Sequence, residues 1–306
     1  YPCNPSCSRH VCLTVNPLRL LVICALSSSM PCTFAADVSP GNLNDIAKDL
    51  VVPEVSQGLP APGKRIALTT KGWEGTEVHH LLYLPTDWTA DAKMPVLVEY
   101  AGNGGFKNAL GDVSEGTVEG SNLGYGISAG RGYLWICMPY VEVDAKGKRN
   151  AKKWWGNVEE TTHYCIETVK NACVQWGGDA DRVILCGFSR GSIGCNYIGL
   201  HDDDIAKLWR GFVCHSHYDG VREQWPYVGA DRVSALARLQ RLGHRPQWIS
   251  QEGGGTAATE AYLKATGILG NWTFHAFPFP NHTDAWVLRD LPLRNELREW
   301  VKAVVK

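Results

Sequence analysis

The sequence predicts an α/β protein with one mostly parallel central sheet and helices on both of its faces. From about residue 64 onward, apolar strand-like runs alternate with helical patterns of about 10 to 20 residues, which implies right-handed crossovers between parallel strands. Of the 306 residues, 44% are hydrophobic and 20% are charged, as in ordinary globular proteins. Neither an internal repeat nor a low-complexity tract divides the chain, so we expect one α/β domain over residues 64–306.

The predicted elements follow one another in a regular order. Residues 65–70 and 77–85 read as an antiparallel opening pair, and 94–105 reads as a buried strand that runs into a glycine loop. Residues 157–176 place apolar side chains at helical spacing behind an acidic first turn, which predicts a helix. The other strand-bearing segments are 132–141, 181–189, 208–220, 246–255 and 271–282, and the other helices are a segment from Ser192 onward, 233–243, 256–267 and 294–305.

The first 63 residues have a different character. Residues 15–36 combine an arginine near the start, an apolar stretch and a small-residue site, a pattern typical of a secretory signal peptide cut after Ala35 or Ala36. Residues 1–14 read as an unstructured upstream extension, and 37–63 as an N-terminal strap or flexible lead-in. We therefore expect the mature protein to be secreted or periplasmic.

Charge and hydropathy exclude several kinds of partner. The formal net charge of -1 gives no attraction to nucleic acid or to an anionic membrane. No apolar run reaches the roughly eighteen residues that a membrane-spanning helix needs. A small molecule is the partner that remains, and the sequence does not specify the oligomeric state.

A glycine-flanked serine stands at one strand-to-helix junction. Gly187-Phe188-Ser189-Arg190-Gly191 fits the pattern G-x-S-x-G and follows the buried run 183–186. In such a turn the serine takes a strained conformation and presents its Oγ at a helix N-terminus, where backbone N–H groups stabilise negative charge. Ser189 is therefore the predicted nucleophile.

A serine nucleophile needs a base, and the base needs an orienting acid. His282 follows the last predicted strand and is the expected base, since this chemistry on an α/β sheet runs in the chain order serine, acid, histidine. Glu252 ends the penultimate strand and is the favoured acid. Asp219 ends the strand before it and remains the alternative.

The chemistry also needs donors for a developing oxyanion. The backbone N–H of Arg190, the residue after the nucleophile, is the first predicted donor. The second is expected from the glycine loop after the strand 94–101, with Asn103 and Gly104 as candidates. The Arg190 side chain, beside the nucleophile, is a candidate contact for an anionic substrate group.

These motifs give the chain a family resemblance. It resembles the α/β-hydrolases, and Gly177–Ser192, GGDADRVILCGFSRGS, is similar to the esterase branch that includes secreted feruloyl-esterase and polyhydroxyalkanoate-depolymerase-like enzymes. The resemblance implies a serine hydrolase that cleaves carboxylic esters without a cofactor. A serine peptidase of the same fold is the alternative.

Other residues near the strand ends suggest substrate contacts or a different chemistry. Trp154 and Trp155 precede a predicted helix and are expected, with His217, to contact a sugar or an aromatic acyl group. The run His215-Ser216-His217-Tyr218-Asp219 also resembles the metal loop of zinc-dependent hydrolases. Its final residue is Gly220 where that motif has histidine, so we predict no metal and keep a zinc site on His215, His217 and Asp219 as a further alternative.

Overall fold

The computed structural model of the protein describes residues 41–253 and 255–306. It contains a nine-stranded sheet and two small hairpins within those ranges. The strands are β1 Val55–Ser56, β2 Arg65–Leu68, β3 His80–Tyr83, β4 Met94–Tyr100, β5 Phe106–Lys107, β6 Val113–Ser114, β7 Leu134–Met138, β8 Val141–Asp144, β9 Gly147–Asn150, β10 Gly178–Phe188, β11 Gly211–His215, β12 Pro246–Glu252 and β13 Asn271–Phe277. The predicted signal peptide 15–36 and extension 1–14 lie outside the described residues.

The large sheet is mostly parallel, as predicted. Its strand order is β1-β2-β3-β7-β4-β10-β11-β12-β13. Only β3 runs antiparallel to its neighbours β2 and β7, so the opening antiparallel pair is also confirmed. Because β4, β10, β11, β12 and β13 run in parallel, their carboxyl ends meet at one edge of the sheet.

Helices follow most of these strands. They are α1 Leu123–Ser128, α2 Val158–Trp176, α3 Arg190–Tyr197, α4 Asp203–Ala206, α5 Arg232–Leu239, α6 Ala257–Thr266 and α7 Pro292–Val304. The Asn157 side chain accepts the N–H of Glu160 at the start of α2, and left-handed Gly177 (φ 73°) ends that helix. The helix after the G-x-S-x-G turn begins at Arg190 rather than at Ser192, so Arg190 contributes one of the unpaired N–H groups of a helix N-terminus.

Both faces of the sheet are covered, as the sequence predicts. Along β4, Val96, Val98 and Tyr100 pack into one hydrophobic cluster, which includes the apolar side of α2. Leu97 points to the other cluster, which includes residues of α1 and α7. This alternation is the period of two that a strand buried on both sides requires.

The segment 41–63 packs against the sheet and the loop that carries His282. The backbone N–H of buried Leu43 donates to Asn281 Oδ1 at 2.8 Å, and Asp49 forms a two-pronged ion pair with Arg294 of α7. In the ranges 41–253 and 255–306, none of the helices has both the length and the apolar character of a membrane span.

Candidate active site

The structure places Ser189 at the sharp junction between β10 and α3. Its backbone has φ 54° and ψ -110°, a conformation that non-glycine residues rarely adopt. The flanking glycines are required for steric reasons, because a Cβ at Gly187 would overlap the carbonyl of Gly191, and one at Gly191 would overlap the carbonyl of Tyr100. The backbone is therefore strained at the residue that the sequence predicts as nucleophile.

Three predicted residues from different elements form one hydrogen-bonded line. Ser189 Oγ lies 2.9 Å from His282 Nε2, and His282 Nδ1 lies 2.6 Å from Glu252 Oε1. Burial by itself raises the pKa of the Glu252 carboxyl, but hydrogen bonds from His282 and Ser216 lower it to about 2. Glu252 is thus a carboxylate at neutral pH, and His282 carries its proton on Nδ1 with Nε2 facing the serine.

Asp219, the alternative acid, has a different partner. Its two carboxylate oxygens accept hydrogen bonds from Nε and Nη2 of Arg238, at 2.8 and 3.0 Å. The carboxylate is buried, and the Arg238 guanidinium also lies 4.6 Å from the Tyr197 ring. The structure therefore brings Glu252 to His282 and uses Asp219 in a buried ion pair.

Two of the three predicted oxyanion donors fit their role. Within the described ranges, the backbone N–H groups of Arg190 and Asn103 donate to no protein acceptor. The Asn103 side chain accepts the N–H of Trp154 at 2.8 Å, which fixes the glycine loop. Gly104 is wrong as a donor, because its N–H is already bonded to the Lys152 carbonyl at 2.7 Å.

The Arg190 side chain holds the loops around the site together. It is 1% exposed and its guanidinium lies 4.0 Å from the Tyr140 ring. The guanidinium donates to five backbone carbonyls, those of Trp154 (2.7 Å), Gly102 (2.9 Å), Gly116 (3.3 Å), Ala151 (3.4 Å) and Ala101 (3.4 Å). The expectation that this side chain meets an anionic substrate group is therefore wrong.

An aromatic surface extends from the catalytic line. The His217 ring lies 5.2 Å from the His282 ring and 5.4 Å from Trp225, which lies 5.4 Å from Trp154. Burial, reinforced by the neighbouring His282, lowers the pKa of His217 to about 4, so this imidazole is neutral at neutral pH. Trp155 is wrong as a substrate contact, because it is 3% exposed and stacks on Tyr197 in the core.

His217 and Trp225 also line a cavity of about 310 Å³. Gln251, the residue before Glu252, contributes an amide to it, and Arg222 lies 4.8 Å above the Trp225 ring. Flat apolar faces next to a few polar groups are typical of a small-molecule site.

The same residues do not form the zinc site kept as an alternative. Both ring nitrogens of buried His215 are engaged, Nδ1 with Ser250 Oγ at 2.9 Å and Nε2 with the Thr283 carbonyl at 3.2 Å. The Asp219 carboxylate is occupied by Arg238. No group of three or more metal-ligating side chains occurs elsewhere in the described part of the chain.

Sequence reasoning missed two sets of supporting residues. Asp112 accepts the backbone N–H of His282 at 2.9 Å and the Asn281 side-chain amide at 2.8 Å. Ser216 lies between Glu252 and His282, within 2.8 Å of both. The Asn-His pair at 281–282 was visible in the sequence, but nothing there indicated that Asp112, 170 residues earlier, would reach it.

Solved structures share this fold at low sequence identity. The chain superposes on an acetyl ester-xyloside bifunctional hydrolase from Caldicellulosiruptor lactoaceticus with a TM-score of 0.53 and 13% identity, over 81% of this chain and 98% of that one. It superposes on FphF, a fluorophosphonate-binding serine hydrolase of Staphylococcus aureus, with a TM-score of 0.51 and 12% identity, over 80% and 100% of the two chains. The chain therefore has the α/β-hydrolase fold.

The fold also occurs as part of longer proteins. The chain covers 62% of the length of a thermostable esterase, with 16% identity, a TM-score of 0.47 and 78% of this chain matched. It covers 35% of a putative dipeptidyl aminopeptidase IV from Bacteroides ovatus, with 13% identity, a TM-score of 0.52 and 78% of this chain matched. No protein-family model matches the sequence, and no curated protein matches it. At these identities the likeness establishes the fold alone.

Proposed function

We propose that the protein is a serine hydrolase that cleaves carboxylic esters through an acyl-enzyme intermediate. The observation that carries this proposal is the hydrogen-bonded line from Ser189 through His282 to Glu252, which begins at a serine in strained backbone. A nucleophile, a base in the correct tautomer and an ionised acid are the three parts that this chemistry needs.

Each step uses groups already in place. Ser189 Oγ attacks the acyl carbon while His282 Nε2 accepts the hydroxyl proton, and the carbonyl oxygen becomes an oxyanion held by the Arg190 and Asn103 N–H groups. His282 then gives the proton to the departing alcohol. Water attacks the acyl-enzyme in the same way, the carboxylic acid leaves, and Ser189 regains its proton.

The aromatic surface supports a substrate with a flat face, such as a sugar-linked or aromatic ester. Trp154, Trp225 and His217 present rings in a row that starts at the base, and rings of this kind stack on sugars and aromatic acids. The resemblance to feruloyl-esterase and polyhydroxyalkanoate-depolymerase-like sequences supports the same class. Trp225→Ala is expected to raise the KM for a feruloyl ester more than for a butyryl ester.

Matched substrates test the proposal against the peptidase alternative. A p-nitrophenyl ester and a p-nitroanilide of the same acyl group differ only in the bond that is cleaved. We expect ester turnover that is lost in Ser189→Ala and His282→Ala, with little turnover of the anilide. Equal turnover of both would favour a peptidase, and ester turnover that survives Ser189→Ala would contradict the proposal.

We also propose that the protein is exported after removal of residues 1–36, on the strength of the pattern in residues 15–36. Expression of the full chain in a secreting host is expected to give a mature N-terminus near Asp37. Retention of residues 15–36 in the secreted or periplasmic fraction would contradict this proposal.

A further inference from the structure

A second serine lies inside the catalytic line. Ser216 follows β11, and its Oγ is 2.6 Å from Glu252 Oε2, 2.8 Å from Glu252 Oε1 and 2.8 Å from His282 Nδ1. The residue is completely buried, so water does not compete for these contacts. A single hydroxyl therefore touches both the acid and the base.

The hydrogen atoms in this cluster can be assigned. Glu252 accepts the Nδ1–H of His282 on Oε1, since it is ionised and has no proton to donate. The one hydroxyl hydrogen of Ser216 is then directed to Oε2, its shortest contact. The Ser216 oxygen lone pairs remain to face the Nδ1–H, which becomes more positive when His282 takes the serine proton.

The backbone at Ser216 is held in an unfavourable conformation to make these contacts. Its φ is 92°, in the region that favours glycine, and its N–H donates to the Ser250 carbonyl at 2.7 Å. A glycine would fit this backbone with less strain but would carry no hydroxyl. Strain retained at a residue that touches the base and the acid is an observation that points to function.

We propose that Ser216 is a positioning residue of the catalytic line: it anchors the Glu252 carboxylate through Oε2 and offers a second acceptor to His282 Nδ1–H. This inference rests on the proposed esterase function. The role predicts a loss in the chemical step, since Ser216 acts on the base rather than on the substrate. Hydrogen bonds to charged groups of this kind are expected to change kcat roughly 10- to 100-fold, with KM within about twofold.

Two substitutions separate the hydroxyl from the backbone strain. Ser216→Ala keeps the strain and removes the hydroxyl, and Ser216→Gly removes both. We expect equal losses of kcat in the two variants, a higher melting temperature for Ser216→Gly, and a shift of the low-field proton resonance of the His282–Glu252 hydrogen bond in both. Ser250→Ala is the matched control, because it removes another buried hydroxyl at this sheet edge, one bonded to His215, and is expected to leave kcat within about twofold.

The possible outcomes bear separately on the two proposals. Wild-type kcat in a folded Ser216→Gly variant would overturn the positioning role and leave the esterase proposal intact. A loss confined to Ser216→Ala would also overturn it, because strain rather than the hydroxyl would then be the cause. Absence of ester turnover by the folded wild-type protein would overturn both proposals.

Discussion

Replacement of Arg190 by lysine probes the part of the site that the sequence most clearly misread. The guanidinium donates to five backbone carbonyls on the loops that carry Asn103 and Trp154, and it is almost fully buried. A lysine ammonium has three hydrogens, so at least two of the five carbonyls would lose their donor. An unpaired buried acceptor costs about 1 to 3 kcal/mol, which gives a loss of roughly 2 to 6 kcal/mol.

The assay combines thermal unfolding with ester kinetics. For a domain of this size the expected loss corresponds to a fall in melting temperature of roughly 5 to 20 °C. Turnover is expected to fall for neutral and anionic esters alike, because the loop that presents the Asn103 N–H loosens. Arg232→Lys is the matched control, since Arg232 is exposed and pairs only with Glu223, and its melting temperature is expected to stay within about 1 °C.

A different result would refute this reasoning. If Arg190→Lys kept the wild-type melting temperature and raised the KM of anionic esters alone, the side chain would be a substrate contact, as the sequence first suggested. The five carbonyls would then need other partners.

Three other substitutions have expected effects that follow from contacts around the site. Glu252→Gln is expected to lower kcat roughly 10³- to 10⁴-fold, whereas Asp219→Asn should keep kcat within about threefold and cost roughly 3 to 5 kcal/mol in urea unfolding, because Arg238 is left buried and unpaired; equal losses of kcat would contradict the choice of acid. Burial, with the charge of Glu99 nearby, raises the pKa of Asp284 to about 7. The folded state therefore holds a proton that the unfolded chain releases near pH 4, so stability should fall by up to roughly 4 kcal/mol from pH 4 to pH 7, and Asp284→Asn should flatten that slope in urea midpoints. Asn281→Ala removes the acceptor of the Leu43 N–H and is expected to lower kcat roughly tenfold and to speed exchange of that amide; unchanged exchange would show that the strap does not depend on this contact.

The nucleophile and base lie where the sequence predicts them because their positions depend on local patterns. A strand, two glycines and a helix place Ser189, and the end of the last strand places His282. The structure brings these two side chains together, and their catalytic role remains the prediction that the experiments test. Strand alternation likewise predicted the parallel sheet and its coverage on both faces.

The acid and the oxyanion loop depend on partners far away in the chain. Glu252 and Asp219 both follow neighbouring parallel strands, so only the approach of Arg238 to Asp219 distinguishes them. Gly104 looks like a suitable donor until Lys152, 48 residues later, is seen to use its N–H. Ser216 stood in a run read as a histidine motif, and its role depends on a positive φ that no local pattern indicated.

The most direct test of the central claim is to label the folded protein with a fluorophosphonate probe and map the adduct by mass spectrometry. The account predicts one adduct, on Ser189, that a chelator does not affect and that is strongly reduced in His282→Ala. An adduct on a different residue, or none on folded wild-type protein, would contradict the assignment of Ser189 as an activated nucleophile.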